Sequence, residues 1–567
     1  MPSEASRREL LAAVAAVGVG TATFQRAAVA AAAAQPEGGV TAEMVKNAEW
    51  VAGCTLTDAE RKTVADALTR TLRSVAALHK LDIGYAPAPA LHFNATPGEA
   101  PSGGRGTVEL NLKPAELKKP ESDDDLAFLP LAKLAGLIQQ KHITSVELTK
   151  VYLARLKKYD PALLCVVSLT EELALKQAAE ADKAIAAGKY RGPLHGVPWA
   201  AKDLIAYPGY KTTWGAAHFK GQTLDERATV AARLDDAGAV LACKTTLGAL
   251  AWGDVWFGGM TRNPWNIKQG SSGSSAGTAS AVAAGLVGFG LGSETYGSID
   301  SPSTRCGVTG LRPTFGRVSR HGCMALCWSL DKIGPMCRSV EDCALVFGAI
   351  HGADGRDATA QDRPFNWPAK VPLKGLTIGY IEGPGAGATE DDRKVLKDLG
   401  VKLVPIKLPQ GTAGALIGLI LDVESAAAFD QVTREGLRDG LGLWPNTFRR
   451  GRFITAVDYL TAQRARTLLM REMAQAIEKV DLYVGGNDLA LTNLTGHPTV
   501  CLPSGFVKSG EADVPKALTF TGRLFGEEKL LAVARAYQDA TGHHLKRPPQ
   551  DAWVPEKKDD KKDDKKG

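Results

Sequence analysis

Short apolar runs alternate with amphipathic stretches along most of the chain. The apolar runs have the length of buried strands, and between them apolar residues recur at helical spacing. The runs are HGVPWAAKDLI, AVLACKTT, GLVGFGLGS, LTIGYIE and DLYVGG. This alternation predicts an α/β sandwich in which helices cover a mostly buried sheet.

Two capping boxes predict where helices begin. TSVE at residues 144–147 starts a helix whose apolar face carries Leu148, Val151, Tyr152 and Leu156. TDAE at residues 57–60 precedes a second apolar face made of Val64, Leu68, Leu72 and Val75. A connection rich in proline and glycine follows at residues 87–106. We therefore assign residues 35–120 to an N-terminal helical extension with its connection, and residues 121–545 to the main domain.

The amino terminus resembles a twin-arginine export signal. Arg7 and Arg8 precede a weakly hydrophobic run of alanine, valine and glycine, and small residues follow up to Ala34. The run is too short and too rich in alanine for a membrane span, so we expect no stable membrane insertion after cleavage. The alternative is an alanine-rich helix that happens to follow two arginines. We predict a signal peptide at residues 1–34 and an exported, periplasmic mature chain.

The carboxyl terminus has the composition of a charged tail. KKDDKKDDKKG at residues 557–567 has no apolar residue, which is typical of disorder, and we assign residues 546–567 to this tail.

The composition of the whole chain, with 44% apolar and 23% charged residues, is typical of a globular protein with a substantial core. The net charge of +6 is mild for 567 residues, and no basic stripe with interleaved aromatics occurs, so we expect no nucleic-acid partner.

Nine cysteines occur without a CxxC pair, and the spacings Cys323–Cys327 and Cys337–Cys343 do not match a zinc knuckle. We therefore expect no metal site, and we interpret most cysteines as small buried apolar residues. A structural disulfide stays an open alternative.

Residues 269–303 are crowded with serine and glycine but contain no histidine. GSSAG at 273–277 matches a nucleophile elbow centred on Ser275, yet the polar NPWNIKQGSS stands where that motif requires a strand. Without histidine, a base must come from elsewhere, and Lys202 ends the apolar run VPWAAK. Burial lowers the pKa of a lysine, so a neutral amine could accept a proton. The alternative is a structural ion pair between Lys202 and Asp203 or another carboxylate.

The serine-rich block GSSGSSAGTASAVAAGLVGFGLGSETYGSIDSPSTRCGVTGLRPTFGRVSRHG resembles that of the amidase signature family. GPLHGVPWAAKD, AGAVLACKTT and RNPWN lie before it in the family's order, and YLTAQRARTLL and NLTGHPTVCLPSGF lie after it. The resemblance covers roughly residues 126–545. It implies a large, mixed, mostly parallel twisted sheet sandwiched by helices.

The resemblance also implies a Ser-cis-Ser-Lys triad. Ser298 would be the nucleophile, Ser274 the relay, following a cis peptide bond, and Lys202 the base. The backbone N–H groups of Thr295, Tyr296, Gly297 and Ser298 would form the oxyanion hole. No metal or organic cofactor is implied.

Two residues beside Ser298 depart from the family's pattern. Tyr296 replaces a glycine and Asp300 replaces an arginine, so the substrate preference cannot be carried over from the family. The ring of Tyr296 either enters the acyl pocket or simply packs. We place Ser275, the neighbour of the relay, and Asp300 among the substrate-binding residues.

The resulting prediction is a hydrolase that cleaves a small linear amide to acid and amine or ammonia. Alternatives are an esterase or aryl acylamidase of the same fold, or a non-catalytic protein that binds amides. An amidotransferase role is disfavoured because it needs a second protein and transfer RNA in the cytoplasm, whereas this chain carries an export signal. A homodimer and a monomer both stay open.

Overall fold

A computed structural model describes residues 39–52, 57–59, 61–62, 65–66, 69, 104–110, 117–383, 387–409, 413–451, 454–486 and 488–553. The predicted signal peptide and the apolar face at Val64–Val75 lie outside these residues. The chain divides into two compact units. The larger comprises Pro89–Ile417, Asp439–Gly442 and Arg466–Gly567, and the smaller comprises Met1–Ala88, Gly418–Arg438 and Leu443–Ala465.

The described part of the larger unit is built on an eleven-stranded sheet, with two short hairpins beside it. The strands are β1 (Val166–Leu169), β2 (Pro198–Lys202), β3 (Val240–Thr245), β4 (Val255–Trp256), β5 (Gly259–Met260), β6 (Arg262–Asn263), β7 (Asn266–Gly270), β8 (Phe289–Glu294), β9 (Thr309–Arg312), β10 (Lys332–Cys337), β11 (Thr377–Ile381), β12 (Lys402–Ile406), β13 (Leu482–Val484), β14 (Thr499–Ser509) and β15 (Ala512–Gly522). The strand order in the sheet is β1-β3-β2-β8-β10-β9-β14-β15-β13-β11-β12. The five apolar runs supply β2, β3, β8, β11 and β13, as predicted.

The sheet is mixed. Pairing is parallel from β3 through β2 to β8, and again from β13 through β11 to β12. The other pairings, which include the centre of the sheet from β8 to β13, are antiparallel. β2, β3 and β8 are buried along their whole length, which is typical of strands covered on both faces.

Helices flank the sheet. The described α-helices are α1 (Ala42–Ala52), α2 (Asp123–Ala127), α3 (Leu131–Gln139), α4 (Ser145–Leu163), α5 (Glu171–Ala186), α6 (Thr229–Asp236), α7 (Ala276–Ala283), α8 (Asp300–Cys306), α9 (Val340–Ile350), α10 (Glu390–Asp398), α11 (Ala413–Ala428), α12 (Asp430–Arg434), α13 (Trp444–Gly451), α14 (Ala456–Ala476), α15 (Leu489–Thr495) and α16 (Glu527–Thr541). The capping box predicted for α4 is present, because the Thr144 side chain accepts from Glu147 N and Glu147 accepts in return from Thr144 N. None of the helices in the described ranges is long and apolar enough to cross a membrane.

The smaller unit contains aromatic contacts of its own. The ring of Phe448 in α13 stacks on Trp444 and on Phe429, with centroids 5.3 and 5.2 Å apart. Tyr459 Oη donates to Glu424 Oε1 at 2.9 Å. Near the amino terminus, Val40 N donates to Thr69 Oγ1 at 2.8 Å.

Two predicted domain boundaries are wrong. Residues 104–110, assigned to the N-terminal extension, belong to the larger unit, where Trp367 N donates to Thr107 O and Glu109 N donates to Trp367 O. Likewise, the chain does not become disordered at residue 546. Trp553 is 1% exposed, donates from Nε1 to Pro264 O at 2.8 Å and meets the Tyr159 ring edge-on. Long-range packing of this kind cannot be read from local composition.

Candidate active site

Lys202 is the last residue of β2 and is completely buried. Its Nζ lies 2.7 Å from Ser274 Oγ, 2.8 Å from Ser293 Oγ, 3.1 Å from Ser275 Oγ and 3.3 Å from Ser293 O. An ammonium has only three protons to donate, whereas a neutral amine can both donate and accept. The amine of Lys202 thus contacts hydroxyl groups from two separate segments of the chain, the serine pair at 274–275 and Ser293.

Burial lowers the pKa of Lys202 to about 7, and the more distant charges of Asp331 and Glu294 only partly oppose this shift. The proposed ion pair with Asp203 is wrong, because Asp203 Oδ1 contacts Lys244 Nζ at 2.8 Å. Asp203 Oδ2 also accepts from the N–H and hydroxyl of Thr213. Consequently Lys202 holds a substantial fraction of neutral amine near neutral pH.

The serine pair lies at the entrance to α7. The peptide bond between Gly273 and Ser274 is cis, as the family resemblance implies. Position 273 admits no side chain, since a Cβ there would lie 1.9 Å from Gly253 O. Ser274 is 1% exposed and contacts Lys202 through its hydroxyl.

Ser275 has a different set of contacts from Ser274. Its Oγ accepts from Ser293 N and donates to Ser293 O, each at 3.1 Å, so it ties the start of α7 to the end of β8. Its own N–H donates to Ser298 O at 3.1 Å. Ser275 is completely buried. These contacts do not favour the nucleophile-elbow interpretation, which needs an exposed hydroxyl at this residue.

Ser298 lies in the loop between β8 and α8. It is 9% exposed, and its backbone joins it to the serine pair through Ser275 N. Gly297 adopts φ +87°, a conformation that favours glycine, so the chain can turn immediately before Ser298. Across the described ranges, no side-chain hydrogen bond joins Ser298 to Ser274. The structure therefore brings Ser274 to Lys202 and places Ser298 beside them through backbone contacts.

The loop before Ser298 leaves a row of N–H groups unused. Within the described residues, the backbone N–H groups of Thr295, Tyr296, Gly297 and Ser298 have no acceptor, although Thr295 is only 7% exposed. Buried N–H groups are normally paired. These four N–H groups are therefore available to an acceptor from outside the chain, such as a bound ligand.

Glu294 holds the end of this loop at which α8 begins. No pattern in the sequence indicated this role. Its Oε2 accepts from Ile299 N and Asp300 N at 2.8 and 3.0 Å, while Oε1 accepts from Arg312 and from Asn493. Although burial opposes ionisation, the charges of Arg312 and Lys332 and these hydrogen bonds hold the pKa of Glu294 down at about 2. An ionised carboxylate thus anchors the beginning of α8.

Asp331 holds the other end of the loop. Its Oδ1 accepts from Thr295 Oγ1 at 2.6 Å, and its Oδ2 accepts from Leu326 N and Cys327 N. Burial raises the pKa of Asp331 above its ordinary value. The two carboxylates together fix the loop from both sides.

The two departures from the family pattern flank Ser298. Tyr296 is 44% exposed, so its ring does not lie in the interior of the protein. Asp300 Oδ2 is shielded from solvent and has no hydrogen-bond partner in the described chain. Burial, together with the nearby charge of Glu294, raises the pKa of Asp300 to about 7.

The described residues contain no group of three or more His, Cys, Asp or Glu side chains placed to hold a metal ion. Eight cysteines fall in the described ranges, and each is a free thiol; seven of them are buried. His497 is buried and contacts Thr495 Oγ1 through Nδ1 at 2.8 Å.

Comparison with known proteins gives a consistent picture. The family model described as Amidase matches residues 147–485. The A subunit of glutamyl-tRNA(Gln) amidotransferase from Marinomonas sp. (strain MWYL1) is 34% identical over 482 residues, which cover 74% of this chain and 98% of the relative. Its counterpart from Roseiflexus sp. (strain RS-1) is 35% identical over 482 residues, again 74% of this chain and 98% of the relative. The X-ray structure of peptide amidase from Stenotrophomonas maltophilia is 30% identical, with a TM-score of 0.67 over 74% of this chain and 98% of that one.

Proposed function

Because this chain belongs to the amidase signature family, whose members hydrolyse amides, we propose that it cleaves a linear carboxylic amide through an acyl-enzyme on Ser298. One observation carries the proposal: a fully buried lysine, with its pKa lowered to about 7, lies 2.7 Å from the hydroxyl of Ser274. A serine hydroxyl is a weak nucleophile until an adjacent base removes its proton. The neutral amine of Lys202, in contact with Ser274, can act as that base.

Proton transfer follows the order Ser298, Ser274, Lys202. Ser298 Oγ attacks the amide carbon while its proton passes to Ser274, whose own proton moves to the neutral amine of Lys202. A hydroxyl can donate and accept at once, so a relay through Ser274 needs no change of its charge. The C–N bond then breaks as the relay returns the proton to the leaving nitrogen. Water next attacks the acyl-enzyme by the same route and releases the acid.

The oxyanion formed at each attack requires donors already in place. The unpaired N–H groups of residues 295–298 supply them, and Glu294 and Asp331 keep the loop from relaxing. Loss of one oxyanion donor typically costs a factor of about 10² to 10³ in rate.

A second candidate comes from the sequence relatives, which carry the name of one component of an amidotransferase. In that role the chain would act within an assembly on a glutamyl-tRNA. The peptide amidase from Stenotrophomonas maltophilia instead supports action on free amides. We also propose that the twin-arginine pattern at Arg7 and Arg8 directs the mature chain to the periplasm. Such export favours the free-amide role, because it would separate the chain from transfer RNA in the cytoplasm.

The experiment uses the purified chain alone. A panel of peptide amides, acyl amides, anilides and esters is tested for release of ammonia, amine or alcohol. Turnover of free amides without a partner supports the proposal, and activity only with added partner proteins and transfer RNA favours the second candidate. Preferential turnover of esters or anilides would support the esterase or aryl acylamidase alternative.

Labelling identifies the nucleophile. A fluorophosphonate followed by mass spectrometry is expected to label the peptide that carries Ser298. Ser298→Ala is expected to abolish turnover, and Lys202→Ala is expected to be nearly as damaging because the relay then has no base. Ser274→Ala should be less damaging, because water can partly replace a relay hydroxyl. Since residues that act as a unit are not additive, Lys202→Ala/Ser298→Ala should be little worse than Ser298→Ala. A label on Ser275, with Ser298→Ala still active, would overturn the assignment.

A further inference from the structure

A cavity of about 210 Å³ lies at the end of α8 that is remote from Ser298. α8 begins two residues after Ser298, at Asp300, and ends at Cys306. Cys306, Gly307 and Val308 line the cavity, and Lys202, Ser274 and Ser298 do not. The cavity is therefore distinct from the candidate active site.

Aromatic and aliphatic side chains form its interior wall, among them Phe128, Trp265 and Val308. Trp265 donates its indole N–H to Cys306 O at 2.7 Å, so this polar group is already satisfied. An apolar cavity of about 150 Å³ is enough to hold a benzene molecule. A volume of about 210 Å³ therefore admits one ring with a small substituent.

Every charged side chain that lines the cavity within the described chain is basic: Lys133, Arg338, Lys546 and Arg547. Arg547 contacts the exposed carboxylate of Asp125 at 2.7 Å, and Lys546 contacts that of Asp513 at 3.2 Å. Lys133 is exposed and forms no ion pair with any residue in the described ranges. The mouth of the cavity therefore keeps an excess of positive charge.

Arg338 contributes charge but no free donor. Its guanidinium donates to the carbonyl groups of Leu129, Val282 and Val287 and to Tyr152 Oη. It is 8% exposed, so its charge acts in a region from which most water is excluded. A bound anion would thus be attracted by Arg338 and held directly by other groups.

Part of the His544 ring lines the cavity. Its Nδ1 is shielded from solvent and has no hydrogen-bond partner in the described residues. Burial, assisted by the neighbouring His543, lowers the pKa of His544 to about 4, so the ring is neutral at pH 7. Because Nδ1 is closed to a group as small as water, it takes no part in ligand binding, and the neutral ring adds no charge to the cavity.

We propose that this cavity binds a small aromatic carboxylate. The ring lies against Phe128 and Trp265, and the carboxylate accepts from Lys133 at the mouth of the cavity. A buried apolar wall with a few convergent polar groups is the usual composition of a small-molecule site. This binding does not depend on the proposed amide hydrolysis, because it uses none of the same residues.

The test measures binding of a fluorinated benzoate to the full chain by fluorine NMR, with fluorinated benzamide as the neutral ligand of the same shape. We expect benzoate to bind more tightly than benzamide. Reversing one rim charge in Lys133→Glu should weaken benzoate by about tenfold, because a charged hydrogen bond is replaced by repulsion. Lys150→Glu, an equal charge change on an exposed residue outside the cavity, should leave the affinity unchanged.

Three results would overturn the inference. The first is absence of benzoate binding, and the second is equal affinity for benzamide. The third is equal weakening in Lys133→Glu and Lys150→Glu, which would place the ligand elsewhere, for example at Ser298.

Discussion

Replacing Lys202 by methionine is expected to change how stability depends on pH. In the folded wild type the pKa of Lys202 is about 7, against an ordinary value of 10.5. Between these two values the unfolded chain holds a proton that the folded chain has lost, so the wild type gains stability as the pH rises. Methionine has no proton to lose, and the variant lacks this gain.

The size of the effect follows from the two pKa values. At about 1.4 kcal/mol per pKa unit, the free energy of unfolding of the wild type should rise by about 2.5 kcal/mol relative to Lys202→Met between about pH 6 and about pH 9. The substitution also removes the contacts of Nζ with Ser274, Ser275 and Ser293. That loss is present at both pH values, so it cancels from the difference.

Urea unfolding followed by circular dichroism at several pH values measures this difference. Lys150→Met, which changes an exposed lysine, is the matched control and should run parallel to the wild type. A stability difference between wild type and Lys202→Met that is constant with pH would refute the reasoning, because Lys202 would then titrate normally in the folded state. The same titration should appear in activity, with kcat/KM rising through an apparent pKa near 7 as the amine loses its proton.

Three further predictions concern other parts of the chain. Trp553→Ala should lower the free energy of unfolding by about 3 kcal/mol, because a buried indole and its hydrogen bond to Pro264 O are lost. Deletion of residues 557–567, by contrast, should leave the melting temperature unchanged. Asp300→Arg should alter which amides are cleaved, most of all those with charged acyl groups, and an unchanged substrate profile would place Asp300 outside the pocket. Lysine at both Arg7 and Arg8 should abolish export, and undiminished periplasmic protein would exclude a twin-arginine signal.

The sequence predicted the parts of the fold that depend on local pattern. The five apolar runs became strands because buried strands of a covered sheet need apolar side chains on both faces. The capping box at Thr144 marked the start of α4 for an equally local reason. Lys202 stood out because an ionisable residue at the end of an apolar strand must be neutral or paired.

Contacts between distant segments could not be predicted in this way. Glu294 meets Arg312 and Asn493, which lie 18 and 199 residues further along the chain, so no local pattern indicated its role. The same applies to Trp553, whose partner Pro264 is 289 residues away. The sequence left two alternatives for Lys202, a general base and an ion pair with Asp203. The contact of Asp203 with Lys244, which only the structure reveals, excludes that ion pair.

The strand order of the sheet has a consequence for biosynthesis. β9, at residues 309–312, pairs on one side with β14, which begins at Thr499, so β9 stays an unpaired edge until the ribosome has released nearly the whole chain. An exposed strand edge is a template for pairing with other chains, and pairings between distant segments form slowly. Nascent chains that stall before residue 499 should therefore be the species that depends most on chaperones, and a late stop codon should produce aggregates rather than a smaller active enzyme.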